Sequence, residues 1–236
     1  MTALALNDVS AGYGAVGVLR GVTFELKATD CIAVLGPNGS GKSTLAKTIM
    51  GISTLHRGTV SWDGREIGRA PTWRRARAGL AYVPQTETAF ASLDVHDNLL
   101  QAGSGLKKPN RRERLEETYE IFPRLAERRR VAAGQLSGGE RRMLGLASAL
   151  MTDPRLLILD EPTSDLAPAV IDIVFERINH IRRTLALPTL LIEQNVPRAL
   201  ELADRVLILV AGELALERPA RDLTDDEIWD VFVQGV

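Results

Sequence analysis

Two unbroken apolar runs mark the chain: Cys31-Ile-Ala-Val-Leu35, which leads straight into glycine, and Leu156-Leu-Ile-Leu159, which leads into two carboxylates. A strand covered on both faces needs no polar alternation, so each run predicts a buried strand of a parallel sheet. Thr189–Ile192 and Arg205–Val210 have the same character and each follows a helical stretch. That alternation predicts an α/β domain with a mostly parallel sheet. The segment 58–64 differs, because its Asp63-Gly64 pair has the turn chemistry of an antiparallel hairpin. The sheet is therefore expected to be mixed, with an antiparallel part near the N-terminus. From residue 86 to 152 the strand pattern gives way to charged helical sequence, strongest over 111–122 and 138–152. We read 86–152 as a helical subdomain inserted into a core made of 1–85 and 153–236. Lys107-Lys108-Pro109-Asn110 predicts a loop between helices.

Composition narrows the function classes. The chain has 236 residues, 45% hydrophobic and 25% charged, with a formal net charge of −1. Those are globular averages, without the broad basic excess of a nucleic-acid binder, so no nucleic-acid partner is expected. A single cysteine, Cys31, excludes an internal disulfide and reads as a small apolar filler in a reducing compartment. His56, His96 and His180 lack metal-ligand spacing. The apolar stretch 206–216 is broken by Gly212 and Glu213, too short to span a bilayer, and residues 1–10 carry no secretory signal pattern. Basic groups at Arg74, Arg75 and Arg77, at Arg111, Arg112 and Arg114, and at 128–130 read as solvated helix faces.

The chemistry begins after the first apolar run. Gly36-Pro37-Asn38-Gly39-Ser40-Gly41-Lys42-Ser43 fits G-x-x-x-x-G-K-[ST] between a predicted strand and a predicted helix. Glycines let successive N–H groups point inward around phosphates, and the following helix presents its positive end to the same anion. Lys42 adds a full charge, worth about 4 kcal/mol per unit of opposite charge at about 4 Å under an effective dielectric near 20. Ser43 is expected to put its hydroxyl on Mg²⁺, with Thr44 secondary inside the helix. At the end of the second run stand Asp160 and Glu161, a pair that a strand buries cheaply only if it faces a metal-bound phosphate. Asp160 is the expected Mg²⁺ partner. Glu161 is the expected base for the attacking water, a role whose loss costs about 10²–10⁴ in rate.

Leu136-Ser137-Gly138-Gly139-Glu140, a short distance before Asp160-Glu161, resembles the signature motif of ABC ATPases, and the resemblance extends over essentially the whole chain. It implies a P-loop NTPase with a RecA-like core and an inserted helical subdomain, hydrolysing ATP with Mg²⁺. Tyr13, in Ala11-Gly-Tyr-Gly14, matches the aromatic that stacks on adenine. Gln85, in Tyr82-Val-Pro-Gln85, matches the glutamine that reaches the metal and links the nucleotide site to the helical subdomain. The resemblance also implies a head-to-tail pair with a second, identical or homologous ATPase, in which Ser137, Gly138, Gly139 and Glu140 of one subunit close over ATP held by Lys42 of the other. Tyr119-Glu-Ile-Phe-Pro-Arg-Leu-Ala-Glu-Arg128, the segment 161–168 and Ile192-Glu-Gln194-Asn195 resemble ATPase subunits of branched-chain amino-acid importers, a group that includes urea and amide importers. That placement implies transmembrane permeases, an extracytoplasmic binding protein and a post at the cytoplasmic face of the membrane. A soluble ABC ATPase, such as one for cluster assembly, and a nucleotide sensor that does not turn over are the competing readings. Two positions depart from the wider family. Gln194 stands where most members carry a γ-phosphate-contacting His, so it can hydrogen-bond but not exchange a proton near neutral pH. Ala167 stands in place of the usual D-loop aspartate, with Asp165 the nearby substitute.

Overall fold

The structure, a computed structural model, describes residues 2–86 and 88–234. The chain opens with antiparallel strands β1 (Thr2–Tyr13) and β2 (Val16–Lys27), then enters the core through β3 (Cys31–Leu35) and α1 (Lys42–Met50). β4 (Thr54–Trp62) and β5 (Arg65–Glu66) return to the first sheet, and α2 (Thr72–Arg77) leads to β6 (Leu80–Val83). Helices α3 (Val95–Ala102), α4 (Lys108–Ile121), α5 (Pro123–Glu127) and α6 (Gly138–Leu150) follow. β7 (Leu156–Asp160), α7 (Pro168–Thr184), β8 (Thr189–Ile192), α8 (Val196–Leu202), β9 (Arg205–Val210), β10 (Glu213–Pro219) and α9 (Asp225–Gln234) complete it.

Two sheets result. The first is antiparallel, in the order β2-β1-β4-β5; the second has six strands, in the order β10-β9-β3-β8-β7-β6. In the second, β9, β3, β8, β7 and β6 run parallel and β10 joins as an antiparallel edge. The mixed α/β expectation holds. Asp63 and Gly64 make the predicted turn between β4 and β5, both at positive φ (52° and 74°). Gly64 takes that conformation without a Cβ penalty.

The apolar runs are unbroken because the large sheet is covered on both faces. In β7, Leu156 and Ile158 enter a core shared with Leu6, Val60, Leu45 and Ile49, under the first sheet and α1. Leu157 and Leu159 point the other way, into a core shared with Leu99, Phe122, Leu125 and Leu144. The helices between β6 and β7 are thus packed on the same sheet that carries the phosphate loop.

Two local expectations are corrected. Lys108, Pro109 and Asn110 are not a connecting loop: they form the first turn of α4, after Lys107 as N-cap. Pro109 lacks an N–H that no helical first turn uses, so it starts this helix rather than breaking it. Arg75 does not belong to a solvated face. It is 2% exposed and donates to the carbonyls of Thr48 (2.8 Å), Ile49 (2.7 Å), Gly68 (2.8 Å) and Ala70 (2.9 Å). It therefore caps the end of α1, satisfying carbonyls that the helix leaves without partners. Its neighbours Arg74 and Arg77 lie over the exposed Trp73 ring, each 5.2 Å from its centroid.

Cys31 is fully buried at the start of β3, and burial pushes its thiol up to about 12, with Arg182 opposing. A thiol reagent at mildly alkaline pH is expected to leave the folded chain unmodified and to react with its cysteine once denaturant is added. Rapid labelling of the native protein would show that β3 opens. No helix among the described residues is long and apolar enough to cross a membrane.

Candidate active site

Register brings the candidate residues to one edge. Val34 pairs with Ile192, Asp160 with Ile192, and Val83 with Leu159, so the carboxyl ends of β3, β8, β7 and β6 finish level. Ligands of open α/β sheets bind along that edge. The segments that leave it are 36–41, 193–195, 161–164 and 84–86.

The loop 36–41 wraps between β3 and α1. Gly36 (φ 151°) has no room for a side chain: a Cβ there would lie 2.1 Å from the Leu209 carbonyl oxygen. Gly39 (φ 79°) and Gly41 (φ 104°) are also left-handed, and Gly41 is the N-cap of α1. Pro37 accepts the Ser40 N–H at 3.2 Å, and Asn38 spans the exposed crest. Lys42 is 5% exposed and its ammonium donates to the Gly36 and Pro37 carbonyls (2.8 and 2.9 Å), inside the loop. Burial lowers the Lys42 pKa, with Glu161 and Asp160 opposing. Ser40 is buried as well, and its hydroxyl has no hydrogen-bond partner among the described residues. An unsatisfied buried hydroxyl beside a curled ammonium fits a cradle that completes its hydrogen bonds on an anion.

Ser43 donates to Asp160 Oδ1 at 2.9 Å, and Tyr82 donates to Asp160 Oδ2 at 2.8 Å. Burial, and then the Asp160 charge, push the Tyr82 hydroxyl up, which keeps it a donor. Among the described residues no cluster of His, Cys, Asp and Glu forms a ready-made metal cage. A hydroxyl and one carboxylate instead offer the sparse, hard oxygen set with which proteins hold Mg²⁺ on a phosphate substrate. The residues fit the ion.

Glu161 sits beside this pair with φ 48°, an unusual value for a residue with a side chain. The Ile192 carbonyl accepts its N–H at 2.9 Å. Its two carboxylate oxygens accept Gln194 Nε2 at 2.7 Å and Gln85 Nε2 at 2.9 Å. Residues more than a hundred positions apart, Gln85 and Gln194, thus clamp one carboxylate from both sides. Tyr13 lies at the end of β1, 45% exposed, with its hydroxyl 3.5 Å from that of Thr44, so its ring flanks α1. His56 Nε2 holds the same turn through the Gly14 carbonyl at 2.9 Å.

The signature residues stand apart. Ser137 is the N-cap of α6 in a capping box: Glu140 N–H donates to its hydroxyl (3.3 Å), and its own N–H and O–H donate to the Glu140 carboxylate (3.0 Å each). Those bonds, the Ser137 N–H first, hold the Glu140 carboxyl below the usual range, helped by Arg128 at 2.9 Å. Gly139 passes so close to Val170 that a Cβ would meet it at 2.6 Å. Gly138 and Gln85 line one cleft, whereas Ser137 and Glu140 line another with Phe122 and Met143. Among the described residues, the hydrogen bonds and ion pairs of Ser137 and Glu140 reach no phosphate-loop residue.

Sequence reasoning assigns no role to three residues that hold this edge together. Tyr82 is one. Glu193 is 2% exposed and accepts from Thr163 Oγ1 (2.6 Å), Thr163 N (3.2 Å), Gln194 N (3.0 Å) and Asn195 N (3.3 Å), tying the segment after Glu161 to the one that carries Gln194. Burial raises its pKa against those four bonds. Its place after the last apolar residue of β8, like that of Asp160 in β7, is the signal that could have found it. Arg142 in α6 is the third.

A family model described as ABC transporter matches residues 19–164. The chain is 42% identical over 228 residues to the probable branched-chain amino acid transport ATP-binding protein LivF of Archaeoglobus fulgidus, covering 97% of each chain. It is 36% identical over 233 residues to the high-affinity branched-chain amino acid transport ATP-binding protein BraG of Pseudomonas aeruginosa, covering 98% of this chain and all of that one. A solved ATP-binding subunit of an ABC transporter superposes with a TM-score of 0.82 at 29% identity, over 97% of this chain and 98% of that one.

Proposed function

The chain belongs to the ABC transporter family as an ATP-binding, ATP-hydrolysing subunit, and from that premise we propose that it powers import of branched-chain amino acids from the cytoplasmic face of a membrane. The observation that carries the reading is the clamped Glu161, set beside Asp160 and within the field of Lys42 on one sheet edge. Lys42, Ser40 and the backbone of 36–41 bind the phosphates of ATP, and Tyr13 receives the adenine. Ser43 and Asp160, with Gln85, would hold Mg²⁺, which would supply neutralisation of phosphate charge. Glu161 accepts a proton from the attacking water, and Gln85 and Gln194 orient its carboxylate. Gln194 contributes position only, because an amide does not titrate near neutral pH.

Turnover needs a second ATPase. The α6 terminus is closed by its own capping box, and among the described residues its hydrogen bonds and ion pairs reach no phosphate-loop residue. Ser137 and Gly139 are therefore assigned to the nucleotide of a partner. Phe90, 61% exposed in a cleft with Ala89, Asn98 and Gln101, supplies an apolar foothold for a permease. An extracytoplasmic binding protein then selects the cargo.

The kinship to LivF and BraG along nearly the whole chain supports the cargo. Deleting the gene in its host is expected to abolish high-affinity leucine, isoleucine and valine uptake and leave urea uptake intact, measured with labelled substrates. Loss of urea or amide uptake alone would replace the cargo. Recovery of the tagged chain with soluble scaffold proteins and no permease would replace transport itself.

A further inference from the structure

Arg142 lies on α6, two residues beyond Glu140, and is nearly buried, at 9% exposure. Its Nη1 donates to the Gln85 carbonyl at 2.7 Å and lies 3.4 Å from that of Pro84. Its Nη2 lies 3.4 Å from both the carbonyl and the hydroxyl of Ser164. Two of the residues it touches, Gln85 and Ser164, bond in turn to Glu161. Gln85 donates to Glu161 Oε2, and Ser164 Oγ donates to the Glu161 carbonyl at 3.1 Å. One guanidinium from the signature helix therefore grips both segments that flank Glu161.

We propose that Arg142 is a positioning residue that couples the placement of the signature helix to the orientation of Glu161. A planar fork with separate Nη1 and Nη2 donors is shaped to hold two backbone segments at once, whereas a lysine offers its donors from a single point. A displacement of α6 would be passed by this fork to Gln85 and Ser164, and through them to Glu161. Buried charge seldom persists without such partners, because desolvation is costly. The inference rests on the proposed role of Glu161, and its test separates the two.

Arg142→Ala, Arg142→Gln and Arg142→Lys are compared with wild type by ATP hydrolysis of the transporter complex, by binding of a fluorescent ATP analogue and by hydrogen exchange of the isolated chain. Arg142→Ala is expected to lower kcat about tenfold or more at unchanged KM and nucleotide affinity, the worth of a charge-assisted hydrogen bond. The amides of Gln85, Thr86, Glu161, Thr163 and Ser164 exchange faster, while those of 143–150 stay protected. Arg142→Lys restores part of the rate and Arg142→Gln less. Equal kcat and exchange in Arg142→Ala overturn the coupling, as does a loss of rate accompanied by loss of protection throughout α6 and of ATP affinity. If Glu161→Gln hydrolyses ATP normally while Arg142→Ala still loosens both segments, the assigned base fails and the strut survives.

Discussion

Glu161→Gln is expected to bind ATP as tightly as wild type and to hydrolyse it roughly 10²–10⁴ times more slowly, the usual cost of removing a general base. The side chain keeps its size, so the loop 161–164 and its left-handed Glu161 backbone are not disturbed by volume. Hydrogen bonding changes more than packing. Glu161 now accepts from two amides, Gln85 Nε2 and Gln194 Nε2, and an amide at 161 has only one acceptor oxygen. The second contact becomes donor against donor. Turning either glutamine by half a rotation presents its oxygen instead, which restores the bond without moving backbone. The melting temperature should therefore hold while turnover collapses, and an ATP-loaded pair of subunits should accumulate in size-exclusion chromatography. Single-turnover kinetics checks the rate. A variant hydrolysing at the wild-type rate removes Glu161 as the base.

What the sequence discloses of this fold follows from how far each signal is local. β3, β7, β8 and β9 are readable because residues buried on both faces leave contiguous apolar runs. β10 is not, since its positions are half exposed at a sheet edge and mix Glu and Arg with leucine. The phosphate loop is contiguous and therefore legible. The clamp on Glu161 joins three chain segments, and only the level ends of β6, β7 and β8 bring them together. A family resemblance can point to Gln85 and Gln194 singly without giving that geometry. Arg75 and Arg142 are hidden for a common reason: each sits next to another arginine, and nothing in Arg74-Arg75 or Arg141-Arg142 says which one turns inward. Burial of a charge is decided by carbonyls supplied from elsewhere, by Thr48 and Ile49 for the first and by Gln85 for the second.

Lys42→Met should show the opposite pattern, losing the nucleotide rather than the chemistry. Methionine keeps an unbranched stem of similar bulk, so the packing around a side chain only 5% exposed is largely retained. The ammonium is lost, and with it a charge-assisted bond to phosphate worth about 1.5–3 kcal/mol, or roughly 10- to 150-fold in affinity. The Gly36 and Pro37 carbonyls lose their present donor, and the first of these bonds is buried, so each lost partner costs about 1–3 kcal/mol unless water enters. A fall in melting temperature is therefore expected beside the loss of binding. Titration with a fluorescent ATP analogue measures the affinity, and the rise in melting temperature on adding ATP should shrink in step, since that rise follows ligand concentration relative to Kd. Binding within about twofold of wild type would mean that the N–H cradle of 36–41 and the terminus of α1 carry the phosphates unaided. In that event Lys42, already turned onto its own loop, serves the fold of the cradle more than its ligand.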